Sequence, residues 1–273
     1  ATDRGPDRVW YGSAAASEYH DMDWLAAHLK HDEDVHLRSL TNDHTILVLA
    51  GPKARAVLSD CARGDWSAKA FPWLSVRECC IGFAPAVVMG VSFSGELAYE
   101  IHVPNASLYA AYLALREAGQ AHGLKLFGAR AIESMRMEKG FLHWKADLIT
   151  EFDPFETGLS RFVKLEKTDF IGKAALLERQ AAGPQSQLVT LKIDTNHAPA
   201  HPGASLMQGN TVVGTITSGD FGHRVEMNLA YAFVKPDFAT VGSTVQLDLC
   251  GERIAAHVID SGPYDPKFER MRS

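Results

Sequence analysis

The order of helix-like and strand-like stretches is what most constrains this chain. Between residues 19 and 181 helical and extended stretches alternate, whereas from 188 to 260 every apolar stretch reads as a strand. Met22, Leu25, Ala26 and Leu29 recur at helical spacing over 19–30, with Asp21 and Asp23 near the start, where a helix dipole favours anions. Strand-like runs follow at 34–40 and 45–50, the second ending at Gly51-Pro52, and proline there suits the first turn of a short helix over 53–58. Residues 85–93 and 97–103 predict two strands joined by Ser94-Gly95-Glu96, a hairpin pattern. Helices are expected over 106–119, ending at Gly119, over 128–139, ending at Gly140, and around 171–181. The stretch from Ala182 to Gln187 (AGPQSQ) is the best linker. Strands are then expected at 188–194, 211–217, 229–234, 244–249 and 253–260. The fold class is therefore α+β, antiparallel sheets with helices, followed by a small C-terminal all-β domain. Its boundary is placed between 184 and 185, so the domains are 1–184 and 185–273. The 273 residues suit about two domains.

Composition removes several functions. Twenty-seven Lys and Arg against 33 Asp and Glu give a net charge of -6, without the basic excess of a nucleic-acid binder or a binder of anionic membranes. No apolar run approaches the roughly 20 residues of a membrane-spanning helix, and the first residues lack a secretory core. Neither nucleic acid nor membrane is expected as a partner. None of Cys61, Cys79, Cys80 and Cys250 forms a zinc-knuckle spacing. His28, His31 and His36, interleaved with Asp32, Glu33 and Asp34, read as a solvated charged run, so no metal is expected. A reducing compartment follows, cytoplasmic or, in a eukaryote, the mitochondrial matrix.

No strand leads into a glycine-rich phosphate loop; GVSFSG lies between two strands and also fails as a nucleophile elbow. The chain thus shows no sign of carrying FAD, NAD or ATP by itself. Two places are more pointed. Strand 97–103 alternates, with Leu97, Tyr99, Ile101 and Val103 on one face and Ala98, Glu100 and His102 on the other. The polar face can simply meet water. In the helix opened by Gly128-Ala129-Arg130, an apolar stripe of Ala131, Ile132 and Met135 is expected, and Arg130 sits in the first turn against the dipole. Pairing with Glu133 one turn on would account for it; so would binding a carboxylate or an electron-rich ring.

The stretch 128–176, GARAIESMRMEKGFLHWKADLITEFDPFETGLSRFVKLEKTDFIGKAAL, resembles the folate-binding region of the glycine-cleavage T-protein family. Its resemblance is greatest to the C-terminal half of dimethylglycine and sarcosine dehydrogenases. GPKARAVL at 51–58, VSFSGELAYEIHVP at 91–104 and GTITSGDFGHRVEMNLAYAFVKP at 214–236 agree with it, in the family's order. The resemblance implies folate-binding lobes with a C-terminal β-barrel-like domain, and tetrahydrofolate as cofactor. It implies Glu100 as the carboxylate that takes the two-donor edge of the pterin, which an ionised acid suits. Arg130 is implied as a folate-contacting arginine, Phe93 stands where relatives carry tyrosine, Gly12 matches a glycine close to the cofactor, and Ile101 and His102 continue the edge from Glu100.

The same resemblance places the catalytic acid of relatives a few residues before Ala1. Asp3 and Asp7 are out of its register, so the catalytic residue is unknown in this chain, and the N-terminal part of the first lobe is read as missing. The function implied is capture, as methylenetetrahydrofolate, of a one-carbon unit from an N-methylated amine oxidised to an iminium by an FAD domain or subunit outside this chain. The chain alone is then expected to bind folate with little turnover. A stand-alone aminomethyltransferase or folate-dependent demethylase is the alternative reading. A non-catalytic folate-binding module is another, disfavoured because no cysteine follows Lys-Gly.

Overall fold

The structure, a computed structural model, describes residues 1–273. It divides into two compact units, one of residues 1–92, 96–126 and 268–273, the other of 93–95 and 127–267.

The first unit opens with a small ribbon of β1 (Thr2–Asp3) and β2 (Val9–Trp10), then α1 (Glu18–Ala27), β3 (His44–Ala50), α2 (Ala54–Cys61), β4 (Val76–Ile81), β5 (Ala84–Met89), β6 (Ala98–Pro104) and α3 (Leu108–Gln120). Strands β3-β6-β5-β4 form an antiparallel sheet in that order. The alternation in β6 comes out as expected: Tyr99, Ile101 and Val103 are buried on one face, while Glu100 and His102 lie on the other. The buried face joins Leu58 of α2, Ala111 and Leu115 of α3, Val88 of β5 and the aromatic pair Trp66 and Phe71 in one core. Non-directional burial of this kind is what holds two short helices to the sheet.

Three sequence expectations change here. Residues 34–40 form no strand. Val35 and Leu37 are exposed, and a run that alternates apolar with charged residues makes a strand only when a face is buried. Strand β4 (VRECCI) goes unpredicted because Arg77 and Glu78 obscure its alternation. The strands at 85–93 and 97–103 do pair, but only from Val87 to Met89 against Glu100 to His102. Residues 90–97 therefore make a longer connection than a tight hairpin.

The second unit contains α4 (Ala129–Lys139), α5 (Lys173–Ala182) and strands β7 (Gln187–Ile193), β8 (Ser205–Gln208), β9 (Thr211–Gly222), β10 (Met227–Val234), β11 (Thr244–Leu249) and β12 (Glu252–Ile259). The six strands close into an antiparallel barrel in the order β10-β7-β12-β11-β8-β9. Leu191, Leu206, Ile216, Ala230, Leu247 and Val258 fill it. Closure removes the sheet edges that would otherwise template aggregation. Strand β9 runs five residues beyond the predicted end. Within this extension Gly219 is a glycine because a Cβ there would lie 2.2 Å from the Ala200 carbonyl oxygen. The stretch 182–187 is also tied down: the Glu156 carboxylate accepts hydrogen bonds from the Gln185 and Ser186 amides at 3.1 and 3.0 Å.

Helix α4 departs most from expectation. Its buried residues are Ser134, Arg136, Met137, Glu138 and Lys139, whereas Ala131 is exposed and Ile132 and Met135 are only half-buried. Burying three charges in one turn is costly unless each is paired, and each is. Arg136 donates to Asp147 (2.6 Å), Glu133 (2.6 Å) and Ser218 (2.9 Å). Asp147, fully buried, also accepts from the hydroxyls of Thr217 and Ser218 and from the His143 amide. Glu138 pairs with Arg224, and Lys139 with Asp265 at 3.0 Å. Burial opposes the Arg136 charge, but Asp147 and Glu133 outweigh it and hold the guanidinium above its ordinary range. Tyr231 donates to the Met137 carbonyl at 2.6 Å, and burial pushes its phenol up as well. The helix stops at Gly140, whose φ of 79° favours glycine.

Two measurements check this packing. Asp147→Ala strands Arg136 in a buried site, and thermal or urea unfolding should show a loss of about 3–5 kcal/mol. In the first unit, burial pushes the Cys61 and Cys79 thiols up to about 11. The native state therefore keeps protons that the unfolded chain releases, and stability should fall as pH rises from about 9 towards 11. At pH 8, iodoacetamide should label the exposed Cys80 and Cys250 first, and the half-buried Cys61 and Cys79 more slowly, their rate rising on unfolding.

Candidate functional site

In the first unit, the sheet face away from the core carries the polar residues of β6. Antiparallel register sets Val48, Glu100 and Met89 in one row and Ile46, His102 and Val87 in the next. Ile46 and Val48 are 49% and 43% exposed, large fractions for aliphatic residues in a sheet. The β1–β2 ribbon lies against part of this face, where the Thr2 hydroxyl reaches the Met89 sulfur at 3.8 Å. Trp10 packs near both His44 and His102, with ring centroids 5.8 and 5.6 Å apart. Arg4 stacks over Trp10 at 4.2 Å and pairs with Glu78.

Glu100 stands out for what it lacks. Its side chain is 38% exposed, and its one close polar neighbour is His102, whose Nε2 lies 3.3 Å from Oε2. His102 Nε2 has no hydrogen-bond partner, so both carboxylate oxygens keep their acceptor capacity. An accessible apolar strip beside an uncommitted carboxylate suits a flat heteroaromatic ring with a donor edge. The residues present therefore fit the pterin end of a folate.

The other sequence-predicted residues fall as follows. Ile101 is fully buried in the core, so its side chain turns away from Glu100 and only its main chain could meet a ligand on that side. Gly12 is exposed, and a Cβ there would meet nothing within 4 Å, so nothing in the chain itself requires glycine. In the second unit, Phe93 is partly exposed and stacks on Phe141 with centroids 6.4 Å apart and planes 11° from parallel. Arg130 is exposed in the first turn of α4 and makes no ion pair. The pairing with Glu133 that the sequence allowed is not formed, because Glu133 is taken by Arg136. Sequence reasoning missed Arg4, Trp10 and His44, which the topology brings towards His102 from distant segments without any local motif.

Comparison with known proteins gives a consistent assignment. Residues 1–167 match the family model of the GCVT N-terminal domain, and residues 187–265 that of the glycine cleavage T-protein C-terminal barrel domain. The chain is 33% identical over 249 residues to human mitochondrial dimethylglycine dehydrogenase, covering 90% of this chain and 29% of that protein. It is 33% identical over 245 residues to mouse mitochondrial sarcosine dehydrogenase, covering 86% of this chain and 26% of the relative. Thus it spans less than a third of either. Among solved structures it is similar to the glycine cleavage system aminomethyltransferase T from Bartonella henselae, at TM-score 0.78 and 25% identity, over 92% of this chain and 66% of that one. No helix is long and apolar enough to cross a membrane. With two family models together accounting for most of its length, and the closed barrel where the second model lies, the chain belongs to the glycine cleavage T-protein family.

Proposed function

We propose that this chain is the tetrahydrofolate-binding, one-carbon-transfer part of a dimethylglycine or sarcosine dehydrogenase-like enzyme. Its product on this reading is methylenetetrahydrofolate, and its one-carbon donor an iminium formed from an N-methylated amine. The single observation that carries the reading is Glu100, an accessible carboxylate with free acceptors on a partly apolar sheet face. When bound, tetrahydrofolate supplies the amine nitrogens that take up the one-carbon unit. Glu100 binds and orients the pterin edge, and His102 stands beside it. Ile101 offers its main chain, and Gly12 leaves its surroundings open. The family resemblance assigns Arg130, an uncommitted cation, and Phe93, a stacking ring, to folate as well. The division 1–184 and 185–273 separates folate binding from the barrel.

The flavin chemistry that forms the iminium is assigned to an FAD domain or subunit outside these residues, a reading supported by the chain's spanning 29% of the dimethylglycine dehydrogenase it resembles. A stand-alone aminomethyltransferase is the second reading, favoured by the likeness to the solved aminomethyltransferase over 92% of the chain. The setting is cytoplasmic, with the mitochondrial matrix as the alternative suggested by the mitochondrial relatives.

Two variants test the assignment. Glu100→Gln removes the charge but keeps the shape, and isothermal titration with tetrahydrofolate should show roughly 1.5–3 kcal/mol of lost affinity, about ten- to a hundredfold. Unchanged affinity would remove Glu100 from the site. Arg130→Gln should also weaken binding, yet raise thermal stability by a few tenths of a kcal/mol, because an unpaired cation in the first turn opposes the helix dipole. A loss of stability on that substitution would instead mark Arg130 as structural.

A further inference from the structure

One contact on the exposed sheet face has no role in the reading above. His102 Nε2 lies 3.3 Å from Glu100 Oε2 and is buried, with no hydrogen-bond partner. Residues two apart on a strand share a face, but that alone does not hold an imidazole in place. Here Trp10 of β2 packs on the His102 ring and meets His44 of β3 edge-on. Arg4, whose side chain is 4% exposed, stacks on Trp10 and pairs with Glu78 of β4, which fixes the indole in turn. The charged and titratable groups around His102 are thus Glu100 on its own strand, His44 on β3, and Arg4 and Glu78 beyond Trp10. Of these, Glu100 is the carboxylate within ion-pair distance. The imidazole is clamped, whereas the carboxylate, bonded to nothing else, is the partner free to turn.

We propose that His102 is a positioning residue whose Nε2–H orients the Glu100 carboxylate for its ligand. The inference rests on the folate reading of Glu100. A carboxylate offers about four lone-pair sites, so one bond from His102 leaves both oxygens able to accept from a two-donor edge. The 3.3 Å approach is not a hydrogen bond as it stands, but a turn of the Glu100 carboxylate closes it, and a side chain steered in this way loses less freedom on binding, an advantage of about two- to tenfold in affinity. The imidazole touches no ligand in this scheme and acts through Glu100.

The test is a set of titrations of the protein with 5-formyltetrahydrofolate, an air-stable reduced folate, followed by calorimetry. His102→Leu should weaken binding about two- to tenfold. His102→Gln, which restores an N–H donor of similar reach, should recover most of that loss. In the Glu100→Gln background, His102→Leu should have almost no further effect, since no carboxylate remains to be oriented. Equal losses in both backgrounds, or no rescue by His102→Gln, would overturn the positioning role and leave His102 as packing. Should His102→Leu not fold, His102→Asn, whose amide stops short of Glu100, carries the same comparison. If Glu100→Gln weakens binding and His102→Leu does not, the positioning role fails while the folate reading stands. If Glu100→Gln binds as tightly as the unaltered protein, the folate reading of that residue fails first.

Discussion

The buried pair of Arg136 and Asp147 sets the order of the second unit. Arg136 sits in the last turns of α4, and Asp147 in the loop that follows it. Between them they engage Glu133, His143, Thr217 and Ser218, so helix, loop and barrel strand β9 are fixed by one set of charged hydrogen bonds. An ion pair in such a place gives little net stability against a well-packed apolar alternative, but breaking it is expensive. Its value is geometric: it fixes the rotation of α4 about its axis. Glu138 with Arg224, and Lys139 with Asp265, bind the same turn to later segments of this unit. With its C-terminal half held in this way, the helix can leave its first turn and Arg130 exposed without losing its register.

The first unit treats charge in the opposite way. In the barrel unit the buried Asp147 and Glu138 carboxylates are each engaged by several donors. On the outer face of the β3-β6-β5-β4 sheet, Glu100 is left with free acceptors beside Ile46 and Val48. A saturated carboxylate has nothing left to offer a ligand, and an unsatisfied one is an incomplete interaction. This contrast separates residues that hold the fold from those that serve it, and it is why Glu100, and not the more deeply buried Glu138 or Asp147, carries the functional reading.

Much of this was legible in the sequence, for identifiable reasons. The period-2 pattern of LAYEIHV gave β6 and put Glu100 and His102 on the face away from the core, because a buried partner face enforces strand alternation. Gly140 marked the end of α4, whereas α3 continues through Gly119 to Gln120. The stretches 91–104 and 128–176 were legible as family resemblance, which carried Phe93 and Arg130 without geometry. What escaped was non-local. The buried face of α4 is charged, so an apolar stripe pointed to Ala131 and Ile132 instead, and its pairing partners lie up to 126 positions away in sequence, as for Lys139 and Asp265. Strand β4 was hidden by Arg77 and Glu78, which alternate faces: Glu78 lies on the outer face in the row of Val87, while Arg77 covers the rings of Trp66 and Phe71 on the other. Residues 34–40 had a strand-like composition but no face to bury. Trp10, His44 and Arg4 meet near His102 only because β6 lies between β3 and β5 and the first ribbon lies against Met89.

The central claim is that the Glu100 carboxylate reads the two-donor edge of a pterin. Calorimetric titration with a pair of reduced folates, one normal and one carrying a methyl in place of the 2-amino group, tests it most directly. The account predicts that the unaltered protein prefers the 2-amino compound by about tenfold or more, as for one charge-assisted hydrogen bond, and that Glu100→Gln loses most of that preference. Equal binding of the two compounds by the unaltered protein, or a preference that survives Glu100→Gln intact, would contradict it.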